Sequence, residues 1–358
     1  MRLIARMVVT VASAIALGGG LTAPQARADD LPPSEIFKRV APATVQVLAD
    51  NQADGTGVIY DADQGLILTN DHVVAGQTAL QVRIEDGSPV PVRVLGSDPC
   101  EDLAVLKLAT PQEDLKQVEF GTSGDLNQGD EVTAIGYPLG AGDTSHEKAV
   151  LTTGVVQSPN VAETDQVSSP NLPSTVQHSA TLNEGNSGGP LLNSNAELVG
   201  INSFSLTGIE GQYYSISSDH AKGLLQGLAD GKSKNNPGWQ GLVALSDPDF
   251  SSYFPSDDQA EAQKLQDRLT AKKIDGIFVG SVDSKSPASA ANLGSGDVIT
   301  DIKNTPVTTV AEVCGVLQSS APGEKITVDG VYTAPGENND GTTYAFGDAW
   351  TTDLTLKQ

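Results

Sequence analysis

Cysteine is nearly absent from the chain: Cys100 and Cys314 are the only two in 358 residues. Two thiols 214 positions apart make neither a disulfide framework nor any zinc-ligand spacing. The four histidines are equally scattered, so we expect no metal and no cofactor. Positive charge is scarce, with 21 Lys and Arg against 45 Asp and Glu. Three of the basic residues, Arg2, Arg6 and Arg27, fall in the first 28 positions, which hold no acid. The remainder carries 18 basic and 45 acidic residues, a net of −27. Such a chain has no electrostatic means of holding nucleic acid, and we expect no nucleic-acid partner. Long hydrophobic runs are missing beyond the N-terminus. The run Met7 to Leu17 is too short to cross a bilayer comfortably, and Gly18-Gly19-Gly20 interrupts it.

That first run instead has the order of an export signal. Arg2 and Arg6 precede a small, apolar stretch to Ala23, and Ala26-Arg27-Ala28 gives the small-x-small cleavage pattern. We expect residues 1–28 to be a signal peptide and the chain to be secreted or delivered to the periplasm or cell envelope. An uncleaved membrane anchor is the alternative. The remaining 330 residues exceed one ordinary core, which favours two domains.

What is present from Val45 to about Val199 is a series of short apolar runs separated by Gly, Asp and Pro. Gly57 to Tyr60, Gly65 to Thr69, Leu80 to Ile84, Leu103 to Leu108 and Glu131 to Tyr137 recur at sandwich or barrel spacing. His220 to Ala229 breaks the pattern with a helical period. The polar stretch 230–238 follows, a linker by composition. Beyond it the text is mixed. Ser256 and Gln259 predict a capping box opening a helix with Ala262, Leu265 and Leu269 on one face. Val310, Val313, Cys314 and Leu317 predict a second helix. Strands are expected over 276–282, 297–302, 325–332 and 350–356. The Gly-, Asn- and Thr-rich stretch 333–348 has no functional reading.

The sharpest chemical signal is Asn183-Glu184-Gly185-Asn186-Ser187-Gly188-Gly189-Pro190. A serine hydroxyl needs a base to take its proton and donors to receive an oxyanion. Flanking glycines let the backbone turn sharply and aim N–H groups beside the hydroxyl. Taken alone, the string is equally a turn between strands. Two more blocks accompany it: Thr69-Asn70-Asp71-His72-Val73-Val74 and Asp102-Leu103-Ala104-Val105-Leu106-Lys107. His, Asp and Ser then occur in the chymotrypsin order of the triad. Gly185-x-Ser187-x-Gly189 also fits an esterase elbow. That fold requires a helix after the serine and a later Asp and His, whereas Pro190-Leu191-Leu192 continues as strand.

These three blocks resemble the HtrA/Deg family of trypsin-like serine proteases. The resemblance implies a mainly β fold: a chymotrypsin-like double β-barrel over 29–229, then an α+β PDZ domain over 239–358. It implies Ser187 as nucleophile, His72 as base, Asp102 as its orienting acid, and Gly185 and Ser187 N–H groups as the oxyanion hole. Thr181 and Leu182 would line the primary pocket, and Asn202, Ser203 and Phe204 the strand that pairs with substrate. With Thr181 six residues before Ser187, where trypsin keeps an acid, small aliphatic side chains are the better guess for cleavage. Asn186 is neutral where digestive relatives have Asp, so activation by a new N-terminal ammonium is not expected.

Gly238-Trp239-Gln240-Gly241-Leu242-Val243 is similar to the carboxylate loop and peptide-pairing strand of a PDZ domain, and Asn292-Leu293-Gly294-Ser295-Gly296-Asp297 to its Gly-rich turn. Gln240, Gly241, Leu242 and Val243 are the implied peptide contacts. The implied partners are unfolded or misfolded polypeptides and peptide C-termini, with a homotrimer a further possibility from the family. Tyr214-Ser215-Ile216-Ser217 departs from the family's Phe-Ala-Ile-Pro, and the loop from Gly140 to Ala149 is longer and more polar than usual. A latent protease working mainly as a peptide-binding or chaperone-like protein is the rival reading. Export makes a Cys100–Cys314 bridge chemically allowed. Cys314 sits on an apolar stripe, however, where a free thiol packs well, and we expect both thiols to be free. His146, His178 and His220 are expected at the surface or in turns.

Overall fold

The structure is a computed structural model that describes residues 30–49, 52–77, 79–138, 148–163, 167–205, 210–232, 236–337 and 341–357. The expected signal peptide, His146, and most of the 140–149 loop lie outside the described residues. No helix among those described is long and apolar enough to cross a membrane.

Helix α1 (Pro33–Val40) opens the described chain, starting on Pro33, whose missing N–H is no loss in a first turn. Strands β1 (Thr44–Ala49), β2 (Gln52–Asp61) and β3 (Leu66–Thr69) follow, then the one-turn helix α2 (Asp71–Val74). With β4 (Leu80–Ile84), β5 (Val90–Asp98) and β6 (Leu103–Leu108) they close a barrel in the order β1-β2-β3-β6-β5-β4. Val45, Val47, Ile59, Ile67, Val82, Ala104 and Leu106 fill it. These are the alternate positions of short β-branched and leucine-rich strands, which is why the sequence reads as barrel.

A second barrel has the order β10-β11-β12-β9-β8-β7. Its strands are β7 (Glu131–Gly136), β8 (Val150–Glu163), β9 (Leu172–His178), β10 (Pro190–Leu192), β11 (Leu198–Ser205) and β12 (Tyr213–Ser217). Helix α3 (Ser218–Ala229) leaves its end. It begins two residues before the expected start because the Ser217 hydroxyl accepts from the His220 N–H. The serine that replaces the family's proline is therefore the helix cap.

The third sheet runs β13-β14-β15-β17-β20, with β16 beside β15. The elements in chain order are β13 (Trp239–Ala244), α4 (Gln259–Ala271), β14 (Ile277–Val282), α5 (Pro287–Ala290), β15 (Val298–Ile302), β16 (Thr305–Pro306), α6 (Val310–Gln318), β17 (Lys325–Val331), β18 (Gly336–Glu337), β19 (Thr343–Tyr344) and β20 (Ala349–Thr355). The 333–348 stretch forms the small hairpin β18–β19, with Tyr344 stacked on Tyr332 at 3.6 Å. Helix α4 lacks the expected Ser256 capping box. Residues 256–258 turn over the Pro255 carbonyl instead, and Gln259 donates to the carbonyl of Phe254. The complete box lies on α6, between Thr309 and Glu312.

Three expectations are corrected. Cys100 and Cys314 form a disulfide, with Cα atoms 5.4 Å apart. The apolar stripe of α6 that argued for a free thiol faces the loop carrying Cys100, so packing and bridging use the same face. His178 is fully buried in β9, where desolvation lowers its pKa to about 3, and its Nε2 lies 2.9 Å from the Ser215 hydroxyl. His220 is not a simple surface residue either: its Nε2 pairs with Glu101 at 2.7 Å.

Candidate active site

The strand ends of the two barrels bring the three sequence blocks together. His72 lies on α2, directly after β3. Asp102 occupies a left-handed turn residue, φ 48°, immediately before β6. Aspartate tolerates that conformation better than most residues, and it turns the carboxylate under the imidazole. His72 Nδ1 lies 2.8 Å from Asp102 Oδ1, and the His72 N–H donates to the same oxygen at 3.2 Å. The Asn70 amide holds the Asp102 carbonyl at 2.8 Å. Asp102 is largely buried, whereas the imidazole is half exposed toward the cleft.

Ser187 sits between β9 and β10, on the other barrel. Its hydroxyl donates to the Ser203 carbonyl at 2.9 Å. The Ser203 hydroxyl in turn donates to Asp102 Oδ2 at 2.6 Å. Ser203 was expected only as a substrate-strand residue; its side chain serves the carboxylate. No sequence signal marks this, because β11 belongs to a different barrel from β6.

The turn around Ser187 has the backbone its glycines predict. Gly185 and Gly188 have φ of 91° and 85°. A methyl group on Gly188 would lie 2.1 Å from the Thr56 carbonyl, so no other residue fits there. The Gly185 and Ser187 N–H groups make no hydrogen bond with any described residue and remain able to donate to an oxyanion. Thr56 of β2 holds this turn from the first barrel. Its hydroxyl donates to the Gly185 carbonyl at 2.7 Å, and its N–H donates to the Ser187 carbonyl at 2.9 Å. Sequence reasoning missed Thr56, which lies in an ordinary strand run. Asn186 is buried against Gly136 and carries no charge.

The remaining expected residues are placed as follows. Thr181 is exposed, with its carbonyl accepting from the Thr152 hydroxyl. Leu182 is packed into the core of the second barrel beside Leu126, Val132 and Leu191. Asn202 is buried and its amide oxygen accepts from Ser215, which also meets His178. The family's Phe-Ala-Ile-Pro is thus replaced by residues that build a polar cluster behind β11. Phe204 pairs with Tyr214 in the strand register; its side chain lies outside the described residues.

Among the described residues, strand β13 is the edge of the third sheet, hydrogen-bonded within it to β14 alone. Leu242 is buried in the cluster with Val310, Val313 and Leu317 of α6; Val243 packs on the opposite face with Phe250 and Phe278. Gly241 is exposed. Gln240 turns toward the first barrel and donates to the Ser97 hydroxyl at 3.0 Å. The space between β13 and α6 is not empty. Val167, from the connection between β8 and β9, packs on that cluster. Its carbonyl accepts from the Val310 N–H at 2.8 Å, and the Ser168 hydroxyl accepts from the Ala244 N–H at 3.0 Å.

Two closed six-stranded barrels with His72, Asp102 and Ser187 gathered at their junction, followed by a mixed domain whose strand β13 forms a sheet edge, define a trypsin-like serine peptidase joined to a PDZ domain. Residues 55–201 match the family described as trypsin-like peptidase domain, and residues 257–331 match the PDZ domain family. The chain is 31% identical over 278 residues to the periplasmic serine endoprotease DegP of Escherichia coli, covering 76% of this chain and 53% of that protein. It is 32% identical over 294 residues to the serine protease Do-like HtrA of Lactobacillus helveticus, covering 78% and 65%. Among solved structures, the HtrA-type protease AlgW with tripeptide matches at 27% identity and a TM-score of 0.50, covering 91% of this chain and 96% of that one. The chain belongs to the HtrA/Deg family of trypsin-like serine proteases. It spans about half to two thirds of the length of the curated relatives it matches.

Proposed function

We propose that this protein is an exported, ATP-independent serine endopeptidase that cleaves unfolded or misfolded polypeptides, with its PDZ domain binding peptide C-termini. The observation that carries this reading is the His72–Asp102 contact at 2.8 Å, at the same junction as Ser187. Ser187 Oγ attacks the scissile carbonyl while His72 takes its proton, and His72 later gives that proton to the leaving amine. Asp102 keeps Nδ1–H oriented and stabilises the imidazolium. The Gly185 and Ser187 N–H groups receive the oxyanion, a contribution of about 3 to 4 kcal/mol per donor. A substrate strand pairs along Asn202 to Phe204. Export rests on the order of residues 1–28 and on the periplasmic names of relatives.

A latent resting form is favoured by one observation, the seating of Val167 and Ser168 against β13 and α6, where a C-terminal peptide would add as a strand. The test is labelling of the mature protein by a fluorophosphonate probe at neutral pH, beside Ser187→Ala, followed by casein cleavage. Labelling and cleavage by the parent alone supports the endopeptidase. Labelling that requires an added C-terminal peptide supports the latent form, and no labelling under either condition sinks both.

A further inference from the structure

Asp71 stands immediately before His72 and is only 4% exposed. It is the first residue of α2, which packs against β2, β5 and β6, and among the described residues His72 is the one group of opposite sign that acts on it. Two further carboxylates face it, Asp102 from the start of β6 and Asp98 from the end of β5. Among the described residues, its Oδ1 has no hydrogen-bond partner. Its side-chain partner is Ser97, whose hydroxyl is held at 3.0 Å by the Gln240 amide of β13; Gln240 also contacts Asp283. A contiguous polar path therefore runs from Gln240 of the PDZ edge strand through Ser97 to Asp71, the carboxyl whose charge Asp102 feels.

We propose that Asp71 is a positioning residue for Asp102, kept in place by Ser97, and that Gln240 acts on the triad through this contact. The inference rests on the triad reading above. Two carboxylates in one dry site do not both ionise readily, and here the roles are divided. Asp102 has the donors: His72 Nδ1, the His72 N–H and Ser203 Oγ. Asp71 has Ser97 alone, and burial with Asp102 beside it pushes its pKa up to about 8. At neutral pH it is a carboxylic acid and puts no charge of its own beside Asp102. When Asp71 loses its proton to solvent, two like charges meet, and Asp102 is driven from its place beneath the imidazole.

The test is the second-order rate of Ser187 labelling by a fluorophosphonate probe from pH 6 to 10, on the full mature chain. The wild type should lose rate on the alkaline side with a midpoint near 8. At pH 9 about a tenth of its plateau rate would remain if ionised Asp71 is inactive. Asp71→Asn, which mimics the acid form, should hold its rate to pH 10. Ser97→Ala removes a donor that favours the ionised form, so its alkaline limb should move to higher pH. Gln240→Ala should move it the same way by less, since the amide polarises the Ser97 hydroxyl. An alkaline limb unchanged in Asp71→Asn, or absent from the wild type, overturns the proposal. If Asp71→Asn does not fold, a limb left unmoved by Ser97→Ala overturns it instead. A limb unmoved in Gln240→Ala alone removes the PDZ arm. No labelling of the wild type at any pH, with or without a C-terminal peptide, sinks the protease reading itself and is distinguishable from all of these.

Discussion

Ser203 donates its hydroxyl to Asp102 Oδ2 at 2.6 Å and offers its carbonyl to the Ser187 hydroxyl at 2.9 Å, so one residue of β11 touches both Asp102 and Ser187. The bond reaches a largely buried charge from the opposite barrel. Hydrogen bonds to charged groups contribute about 1.5 to 3 kcal/mol. Ser203→Ala should therefore lower kcat/KM on an unfolded substrate by roughly tenfold to a hundredfold, mostly in kcat. An unchanged kcat/KM would show that Asp102 does not depend on this donor.

Gly136 ends β7 under the Ser187 turn. A methyl group there would lie 2.6 Å from Asn186 Oδ1 and 3.0 Å from its Cα. Overpacking of this kind costs about 1 to 3 kcal/mol, and the turn can yield more easily than the barrel. Gly136→Ala should lose more than about tenfold in probe labelling while keeping a cooperative thermal transition. Full labelling with a lowered Tm would place the strain elsewhere.

The Cys100–Cys314 bridge closes 214 residues of sequence and joins α6 to the loop before Asp102. In the chain-entropy picture, a loop this long gives about 5 kcal/mol. The Cys100→Ser, Cys314→Ser double variant should unfold at lower urea than the oxidised parent and match the parent after reduction. Equal midpoints for all three would mean that the bridge adds nothing to the native contacts. His220–Glu101 at 2.7 Å and Gln318–Glu101 at 3.5 Å tie the same loop to α3 and α6.

Asp71 also predicts a stability profile. Its native carboxyl keeps its proton up to about pH 8, whereas the unfolded chain loses it near the ordinary value of 3.8. The unfolded state thus binds fewer protons between those values, and Asp71 lowers stability progressively as pH rises through the window. Asp71→Asn should be close to the parent at pH 4 and increasingly more stable at pH 6 and 8 by urea denaturation. A constant difference across the three pH values would contradict the direction of the shift.

Val167 packs on the buried cluster that includes Leu242, Val310 and Val313, and its carbonyl accepts from the Val310 N–H, where an incoming peptide side chain would seat. Half-burying a valine is worth about 1 kcal/mol, or roughly fivefold in affinity. Val167→Gly should bind a hydrophobic C-terminal peptide about that much more tightly by fluorescence anisotropy. Weaker or equal binding would mean that the segment supports the groove instead of competing for it.

The blocks around His72, Asp102 and Ser187 were legible because each is local: the strand end, the turn and the glycines lie within a few residues of the functional atom. The barrels were legible for the same reason, through period-two apolar runs, and so was α6, whose stripe marks its buried face. Thr56 and the side-chain role of Ser203 were not. Each sits in an ordinary strand and acts on a residue of the other barrel, 129 and 101 positions away. The solvent exposure expected for His178 failed because composition says nothing of which strand is central, and Ser215 gives that ring a buried partner.

The sequence by itself determined the Gly-rich turn around Ser187, the strand-rich first part and the mixed second part, since short-range spacing and turn chemistry encode them. Only the tertiary structure decided the disulfide, the seating of Val167 against β13 and α6, and the path from Gln240 through Ser97 to Asp71. Each depends on distances between segments far apart in the chain. Residue order leaves such distances open until the barrels close and the third sheet packs against them.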